Sequence, residues 1–188
     1  MLAREPVVST WPRDVKDDMS HGLAVIAARS ESLIRFTTAY AQLAKLPAPR
    51  LETLGITALV ARASGVETRV PVRTEPGPAL TIRADPDQLE QLLINLLRNA
   101  ADAALETGGA VHLGWKVEGQ TLSLWIDDEG AGLQSASNVF VPFFTTKPGG
   151  SGIGLVLSRQ IAEAHGGTLT LENRAGTRGC RALLRLPI

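Results

Sequence analysis

The pattern of apolar and polar positions predicts one long helix at the start of the chain. Over 12–46, apolar or small residues recur at intervals of three and four, which is the spacing of a helical stripe. A helix of about 35 residues is about 50 Å long, more than a small compact domain needs, so such a helix usually packs against partners outside the domain. Pro47 and Pro49 are expected to end it and to mark a domain boundary, because proline cannot continue the hydrogen-bond ladder.

Beyond this boundary, helical and strand-like patterns mix without strict alternation. Helices are predicted at 56–63, 86–106 and 151–165. Strands are predicted at 68–74, 80–84, 110–117, 121–127, 168–172 and 180–186. This order predicts an α+β fold: a two-layer α/β sandwich whose mixed, mostly antiparallel sheet carries helices on one face, preceded by the one long helix.

Two groups of residues predict helix ends. Asp85 is placed to cap the helix 86–106, Pro86 occupies the first helical position, and Gln88 stands where a capping box has its second partner. Gly166 and Gly167 are expected to end the helix 151–165 in a left-handed conformation.

Composition and charge narrow the class of protein. The 188 residues are 44% hydrophobic and 20% charged, which is typical of a globular chain. Lys plus Arg and Asp plus Glu both number 19, so no overall field attracts nucleic acid or an acidic membrane surface. The single cysteine, Cys180, excludes an internal disulfide framework and is expected to be an inert strand residue. No apolar run reaches the about 20 residues that cross a bilayer, so we expect a cytoplasmic protein.

The helix predicted at 86–106 carries polar candidates opposite its leucine stripe. Asn95 and Asn99 are four residues apart and project from the same side, with Arg98 and Asp102 nearby. On an isolated helix, two solvated amides would be the ordinary interpretation. Together with the motifs downstream, the pattern favours a neutral amide oxygen that ligates Mg²⁺, whose other ligands are waters and nucleotide phosphates.

The segment DDEGAGL (127–133) places a carboxylate just before two glycines. At the floor of a pocket, Asp128 would accept from the exocyclic amine of adenine, whereas guanine would oppose it with an oxygen at a cost of about 1–3 kcal/mol. Gly130 and Gly132 would let the backbone turn sharply and approach the base. The alternative is an acidic hairpin tip in which Asp127, Asp128 and Glu129 are all solvated.

A second glycine segment, GGSGIGL (149–155), straddles the start of the helix 151–165. Such a backbone presents free N–H groups and the positive end of the helix dipole, which suits phosphate, although a lone segment of this kind could equally be a flexible loop. The long loop 133–149 is interpreted as a lid, anchored by aromatic residues at one end and hinged by glycines at the other. Its apolar cluster consists of Val139, Phe140, Phe143 and Phe144. Lys147 either reaches a phosphate or is an ordinary exposed lysine.

Residues 51–188 resemble the catalytic, ATP-binding domain of sensor histidine kinases, within the wider ATPase superfamily of gyrase, heat-shock chaperone and mismatch-repair proteins. The matching segments are NLLRNAADA (95–103) for the asparagine box, DDEGAG (127–132) for the first glycine box, FVPFF (140–144) for the phenylalanine box and GGSGIGL (149–155) for the second glycine box. The run 145–167 looks typical of nitrogen-regulator-type kinases.

The resemblance implies ATP and Mg²⁺ as cofactors. Asn99 would hold Mg²⁺, Asn95 would support the phosphates, Asp128 would read adenine, and the lid would cover the triphosphate. The implied ATP-binding residues are Asn95, Arg98, Asn99, Asp102, Asp128, Gly130, Gly132, Phe143, Thr145, Thr146, Lys147, Gly150, Ser151, Gly152, Ile153, Gly154 and Leu155.

One position favours phosphotransfer over hydrolysis. Hydrolysing members of the superfamily carry a glutamate one turn before the metal asparagine, where it acts as general base for water. This chain has Asn95 there, and an amide cannot take a proton at neutral pH. The resemblance therefore implies a protein histidine kinase with Asn95 and Asn99 as catalytic residues.

None of the three histidines matches the family's acceptor pattern, His-Glu/Asp-x-x-x-Pro. His21 lacks the proline, His112 lies in a predicted strand, and His165 ends a predicted helix. The helix 12–46 instead resembles the second helix of the dimerisation hairpin. We therefore expect an acceptor histidine upstream of Met1 and no autophosphorylation by this chain alone.

The resemblance to sensor histidine kinases implies two regions of the chain and several partners. Residues 1–48 would be a partial dimerisation region, and residues 49–188 the catalytic ATP-binding domain. The implied partners are a histidine-bearing dimerisation domain and the receiver domain of a response regulator, with a homodimeric parent that is either free in the cytoplasm or anchored in the inner membrane. The alternatives are a nucleotide-dependent regulatory binding module and an anti-sigma-type serine kinase of the same superfamily; the long helix argues against the latter.

Overall fold

The computed structural model describes residues 12–44, 46–133, 138–145, 147 and 150–188. Contacts divide the chain into two compact units, Met1–Ala41 and Gln42–Ile188. The elements are α1 (Arg13–Ala44), β1 (Glu52–Gly55), α2 (Ile56–Val66), β2 (Val72–Glu75), β3 (Thr81–Ala84), α3 (Pro86–Thr107), β4 (Val111–Glu118), β5 (Thr121–Asp128), α4 (Gly154–Ala164), β6 (Thr168–Asn173) and β7 (Cys180–Pro187). No helix in these ranges is long and apolar enough to cross a membrane.

The long helix α1 confirms the prediction from the helical stripe. It contains 32 residues, which corresponds to about 48 Å. Large apolar side chains of the stripe are exposed, among them Leu23, Ile26, Leu33 and Ile34. An apolar stripe that is open to solvent is typical of a helix that packs against another helix.

A five-stranded sheet forms the main layer of the second unit. Its strand order is β2-β4-β5-β7-β6, with β2 parallel to β4 and every other pair antiparallel. β4 and β5 form the predicted hairpin, in which Glu118 pairs with Thr121 and Gly119 turns with φ 62°. The α+β class and the mixed, mostly antiparallel sheet are therefore confirmed.

Helices cover one face of this sheet, with α3 between α2 and α4. The leucine stripe of α3 is buried, since Leu89, Leu92, Leu93 and Leu97 are each at most 1% exposed. The helix packs against β4 and β5, and Leu122, Leu124 and Ile126 of β5 are also buried. Burial of each leucine contributes about 1.5–3 kcal/mol. This packing fixes the polar side of α3 next to the carboxyl end of β5.

Two strands differ from the prediction. β1 was not predicted; it pairs with β3 in a separate two-stranded antiparallel sheet. β2 covers only Val72–Glu75 instead of 68–74. Pro71 has no N–H to donate to a ladder, and the residues before it contain the ion pair between Glu67 and Arg69.

The start of α3 confirms the predicted cap but not the capping box. Asp85 Oδ1 accepts the N–H groups of Asp87 and Gln88, both at 3.1 Å. The predicted contact between the Gln88 side chain and the N–H of Asp85 was wrong. Gln88 donates its Nε2 to the carbonyl of Pro47 at 2.9 Å. The N–H of Asp85 donates instead to Nε2 of His165, at 3.0 Å.

The bounds of α4 also correct the prediction at one end. α4 begins at Gly154, three residues later than expected, because Gly152 has a left-handed φ of 66° that a helix cannot contain. At its other end, Gly166 has φ 72°, which confirms the predicted left-handed stop.

Candidate functional site

A cleft of about 520 Å³ lies between α3, the carboxyl end of β5 and the segment that precedes α4. Most residues predicted for the site line it: Asn95, Arg98, Asn99, Asp102, Asp128, Gly132, Thr145, Lys147, Gly150, Ser151, Gly152, Ile153, Gly154 and Leu155. Gly130 and Phe143 are not among the lining residues. Thr146 lies outside the described residues.

Asp128 forms part of the apolar end of the cleft, beside Ile126 and Ala182. It is the last residue of β5 and is 6% exposed. Its Oδ1 accepts the backbone N–H groups of Gly130 at 2.9 Å and Cys180 at 3.1 Å. Burial raises the pKa of this carboxyl above its ordinary value, although the two N–H groups act in the opposite direction. Among the described residues, Oδ2 has no hydrogen-bond partner.

The alternative of a solvated acidic hairpin tip is wrong. Asp127 is 4% exposed and lies on the opposite side of the sheet from Asp128. It binds the guanidinium of Arg181 with both oxygens, each at 2.7 Å. The adjacent acids therefore have different environments, and Asp128 is the one that reaches the cleft.

The glycines around Asp128 act mainly through close backbone approach. A Cβ on Gly130 would lie 2.7 Å from the Cβ of Ala103, so this glycine lets the turn pack against α3. Gly179 has φ 105°, and a Cβ there would overlap the carbonyl oxygen of Asp128. Sequence reasoning missed Gly179; its position directly before the last predicted strand was the available signal.

Asn173 is another residue that the sequence analysis missed. Its Oδ1 accepts the N–H of Leu133 at 2.6 Å, and its Nδ2 donates to the carbonyl of Leu133 at 3.1 Å. Gly132, at φ 82°, lies against the same side chain, since a Cβ there would be 2.7 Å from Asn173 Oδ1. The end of β6 therefore fixes the chain where it leaves the first glycine turn.

The polar side of α3 forms the opposite wall and binds the lid lysine. Lys147 Nζ lies 2.7 Å from Asp102 Oδ2 and 3.2 Å from Asn99 Oδ1. Asp102 Oδ1 accepts from Nη1 of Arg69 at 2.7 Å. Burial acts to raise the pKa of Asp102, but the hydrogen bonds from Lys147 and Arg69 outweigh it and hold the pKa below its ordinary value. The side chain of Lys147 is thus 38% exposed but paired with an acid of the cleft wall, and the sequence analysis did not identify Arg69.

The N-terminus of α4 faces the cleft without a side-chain cap. Gly154, its first residue, approaches Asn95: a Cβ on Gly154 would be 3.9 Å from Asn95 Cγ. The free N–H groups and the helix dipole make this end of the cleft favourable for an anion.

The lid is anchored differently from the prediction. The ring of Phe140 lies 5.0 Å from the guanidinium carbon of Arg159 on α4, a cation–π contact. Phe143 and Phe144 are exposed, so these two rings do not form a buried anchor. Phe143 has φ 65° and donates its N–H to the carbonyl of Gly152 at 3.0 Å, which joins the phenylalanine segment to the second glycine segment.

The donor set fits a magnesium ion that arrives with a nucleotide. Within the described part of the chain, no group of three or more His, Cys, Asp or Glu side chains could hold a metal ion. Asn99 Oδ1 does bind a cationic group, the ammonium of Lys147. Mg²⁺ commonly takes one or two protein oxygens and completes its shell with waters and phosphates, so Asn99 fits that role.

Comparison with known proteins agrees with this geometry. The family described as Histidine kinase-, DNA gyrase B-, and HSP90-like ATPase matches residues 84–188, which supports ATP binding by this part of the chain.

The signal transduction histidine-protein kinase AtoS of Escherichia coli (strain K12) is 35% identical over 135 residues, which are 70% of this chain and 22% of AtoS. The sensor histidine kinase ZraS of Escherichia coli O157:H7 is 37% identical over 109 residues, 57% of this chain and 23% of ZraS. The chain thus spans less than a quarter of either relative.

Solved structures give the same result. The mycobacterial sensor histidine kinase MprB has a TM-score of 0.64 at 26% identity, with 73% of this chain and 97% of that chain covered. The ATP-binding domain of PrrB from Mycobacterium tuberculosis has a TM-score of 0.59 at 30% identity, with 73% and 96% covered. The resemblance to the catalytic domain of sensor histidine kinases is confirmed, whereas the closer likeness to nitrogen-regulator-type kinases stays a prediction.

Proposed function

Because this chain belongs to the Histidine kinase-, DNA gyrase B-, and HSP90-like ATPase family, we propose that its cleft binds ATP with Mg²⁺ and donates the γ-phosphoryl group to a histidine of a sensor kinase. The observation that carries the proposal is the buried carboxylate of Asp128, fixed through Oδ1 while Oδ2 has no partner among the described residues. The phosphorylated histidine would then pass the group to an aspartate in the receiver domain of a response regulator.

Asp128 supports adenine as the base. A carboxylate oxygen accepts hydrogen bonds only, and the exocyclic amine of adenine donates them. Guanine presents an oxygen at that position, so a desolvated oxygen would face another one at a cost of about 1–3 kcal/mol. Ile126, Leu171 and Ala182 give the same end of the cleft an apolar wall against which a flat base would pack.

The opposite end of the cleft supports a triphosphate with its metal. Asn99 would hold Mg²⁺ through Oδ1, Asn95 would support the phosphates, and the N-terminus of α4 would offer them N–H groups. When bound, Mg²⁺ neutralises the charge that develops on the transferred group. Lys147 adds a positive charge from the lid.

The carboxylates of the described cleft favour transfer over hydrolysis. Asn95 cannot act as a base for water. Asp102 is bound by the guanidinium of Arg69, which makes its carboxylate a weaker base, and Asp128 belongs to the apolar end. Glu106 lies about 16 Å farther along α3 than Asn95 at 1.5 Å per residue. A water near the γ-phosphoryl group would thus lack a base, so the group is kept for a positioned acceptor.

The acceptor is proposed to come from outside this chain. His165 uses both ring nitrogens, at 3.0 Å from the N–H of Asp85 and 2.8 Å from the carbonyl of Ile161. His112 lies 3.2 Å from Glu129 Oε1 in the sheet. His21 is exposed on α1 but lacks the acceptor pattern. We assign residues 1–48 to a dimerisation region, supported by the exposed apolar stripe of α1, and residues 49–188 to catalysis.

A transfer experiment tests the proposal. The chain is mixed with a separately produced histidine hairpin of a sensor kinase and with ATP labelled in its γ-phosphate. We expect Mg²⁺-dependent, acid-labile label on the hairpin and none with the Asn99→Ala variant. Tight ATP binding without transfer would contradict the kinase and indicate a nucleotide-dependent regulatory module. Acid-stable label on serine of a partner would indicate the serine-kinase alternative.

A further inference from the structure

Asp102 differs from the other polar residues of the phosphate end because it carries a negative charge. We propose that Asp102 is a positioning residue and not a nucleotide ligand: together with Arg69, it holds Lys147 on Asn99 Oδ1 until a Mg²⁺-nucleotide replaces the lysine. This inference rests on the proposed function, because it assigns a state of the same cleft before nucleotide binds.

Before nucleotide binds, both carboxylate oxygens of Asp102 are paired with cations. Oδ2 lies 2.7 Å from Lys147 Nζ, and Oδ1 lies 2.7 Å from Arg69 Nη1. A carboxylate beside a triphosphate would otherwise add repulsion between like charges. Asp102 therefore acts on nucleotide through the two cations that it binds.

Arg69 is itself fixed, which gives Asp102 a defined position. Its Nε and Nη2 bind the two carboxylate oxygens of Glu67 at 3.0 and 2.7 Å, a bidentate pair with planar geometry. Glu67 follows α2 directly and donates its N–H to the carbonyl of Ser64 at 3.3 Å. Charges alternate from Glu67 through Arg69 and Asp102 to Lys147, so the end of α2 is connected to the lid across α3.

Holding the ammonium of Lys147 also positions the lid backbone. The N–H of Lys147 donates to Thr145 Oγ1 at 3.1 Å, and its carbonyl accepts the N–H of Gly150 at 3.1 Å. A Cβ on Gly150 would be 2.6 Å from Thr145 Oγ1, so these residues are closely packed. When Lys147 leaves α3, this local arrangement loses its attachment to the cleft wall.

The lysine and Mg²⁺ exclude each other at Asn99. The ammonium is 3.2 Å from Oδ1, the oxygen proposed for Mg²⁺, which binds oxygen at about 2.1 Å. A monovalent and a divalent cation on one oxygen would repel strongly at that separation. Arrival of Mg²⁺ therefore releases Lys147 from Asn99 at the moment when phosphates become available to it. ADP without metal lacks this repulsion.

The test measures amide hydrogen exchange of the lid in the whole chain without nucleotide. Asp102→Asn and Lys147→Gln should each raise exchange at Gly150 by about two- to fivefold, the range expected for a partly exposed ion pair. The double variant should exchange no faster than either single variant, because both remove the same attachment. Arg69→Gln should give a smaller rise that vanishes when Asp102 is already Asn. Glu106→Gln, which removes a charge from the same wall, should leave exchange unchanged.

A second arm tests replacement by the metal. With saturating ADP and Mg²⁺, the non-additivity between Asp102→Asn and Lys147→Gln should disappear; with ADP and a chelator, it should persist. Additive effects in the nucleotide-free protein, or non-additivity that survives Mg²⁺-ADP, would overturn the inference. If calorimetry showed no binding of ADP to the wild-type chain, the proposed function would be contradicted instead. The exchange measurements without nucleotide do not depend on that function, so they distinguish failure of the inference from failure of the proposed function.

Discussion

The backbone N–H of Cys180 donates to Oδ1 of Asp128 at 3.1 Å and thereby joins the start of β7 to the end of β5. The N–H of Gly130 donates to the same oxygen at 2.9 Å. Main-chain groups far apart in the sequence thus fix one carboxylate oxygen. Burial also raises the pKa of the Cys180 thiol to about 12, so the cysteine itself stays unreactive.

Asp128→Asn is expected to weaken nucleotide binding without loss of stability in the nucleotide-free protein. Burial raises the folded-state pKa of Asp128 above its unfolded value of about 3.9, so the ionised side chain destabilises the fold at neutral pH. This penalty disappears as the pH falls through the raised pKa. The variant should therefore unfold at a temperature at least equal to that of the wild type at pH 7, and the difference should shrink toward pH 4. Thermal denaturation followed by circular dichroism checks this; a difference that grows toward pH 4 would contradict it.

Gly179→Ala is expected to be more damaging than Gly176→Ala. Both glycines have positive φ, at 105° and 73°. A Cβ on Gly179 would overlap the carbonyl of Asp128, whereas nothing lies within 4 Å of a Cβ on Gly176. Gly176→Ala, the matched control, should therefore lose only the about 1–2 kcal/mol that a left-handed backbone costs a residue with a Cβ. Gly179→Ala should lower the free energy of unfolding by about 1–3 kcal/mol more than the control does. Urea unfolding compares the two; equal losses would show that the contact with Asp128 is unimportant.

Asn95→Glu is expected to raise hydrolysis of ATP. A carboxylate at this position would accept a proton from water, which an amide cannot do. We expect Mg²⁺-dependent phosphate release to rise at least about tenfold, since general-base catalysis contributes about 10²–10⁴-fold. Asn95→Gln is the control of the same length and should not raise it. An equal rise in both variants would mean that side-chain length, and not basicity, governs the reaction.

His165→Ala is expected to destabilise the fold more than His112→Ala. His165 connects the start of α3 with the end of α4, and its loss leaves the N–H of Asp85 without this partner. An unpaired buried group costs about 1–3 kcal/mol. His112 on β4 contacts the half-exposed Glu129, which follows β5, and a partly exposed pair of this kind is worth about 0.2–1 kcal/mol. Chemical denaturation measures both; a larger loss for His112→Ala would contradict the assigned role of His165.

Most elements could be predicted because their signals are local. The leucine stripe defines α3, Asp85 with Pro86 defines its start, and the Glu-Gly-Gln turn defines the hairpin of β4 and β5. The start of α4 was predicted too early because Gly152 has a left-handed φ and packs against the backbone of Phe143. The periodicity of a helix does not contain that information.

The residues that sequence reasoning missed act over long distances along the chain. Arg69 and Asp102 are 33 positions apart, and Asn173 and Leu133 are 40 apart. Neither Arg69 nor Asn173 belongs to a motif, so their types and spacing give no sign of the partner. Such contacts follow from the sheet order and from the packing of α3, which only the fold provides.

Calorimetric titration of the wild type and of Asp128→Asn with ADP and GDP is the most direct test of the account. The wild type should bind ADP more tightly than GDP by about 5- to 150-fold, the factor that corresponds to about 1–3 kcal/mol. Asp128→Asn should lose at least about tenfold in ADP affinity, whereas Glu106→Gln, which also changes a carboxylate of the cleft, should keep it. Undiminished ADP affinity in Asp128→Asn would place the base elsewhere and contradict the proposed site.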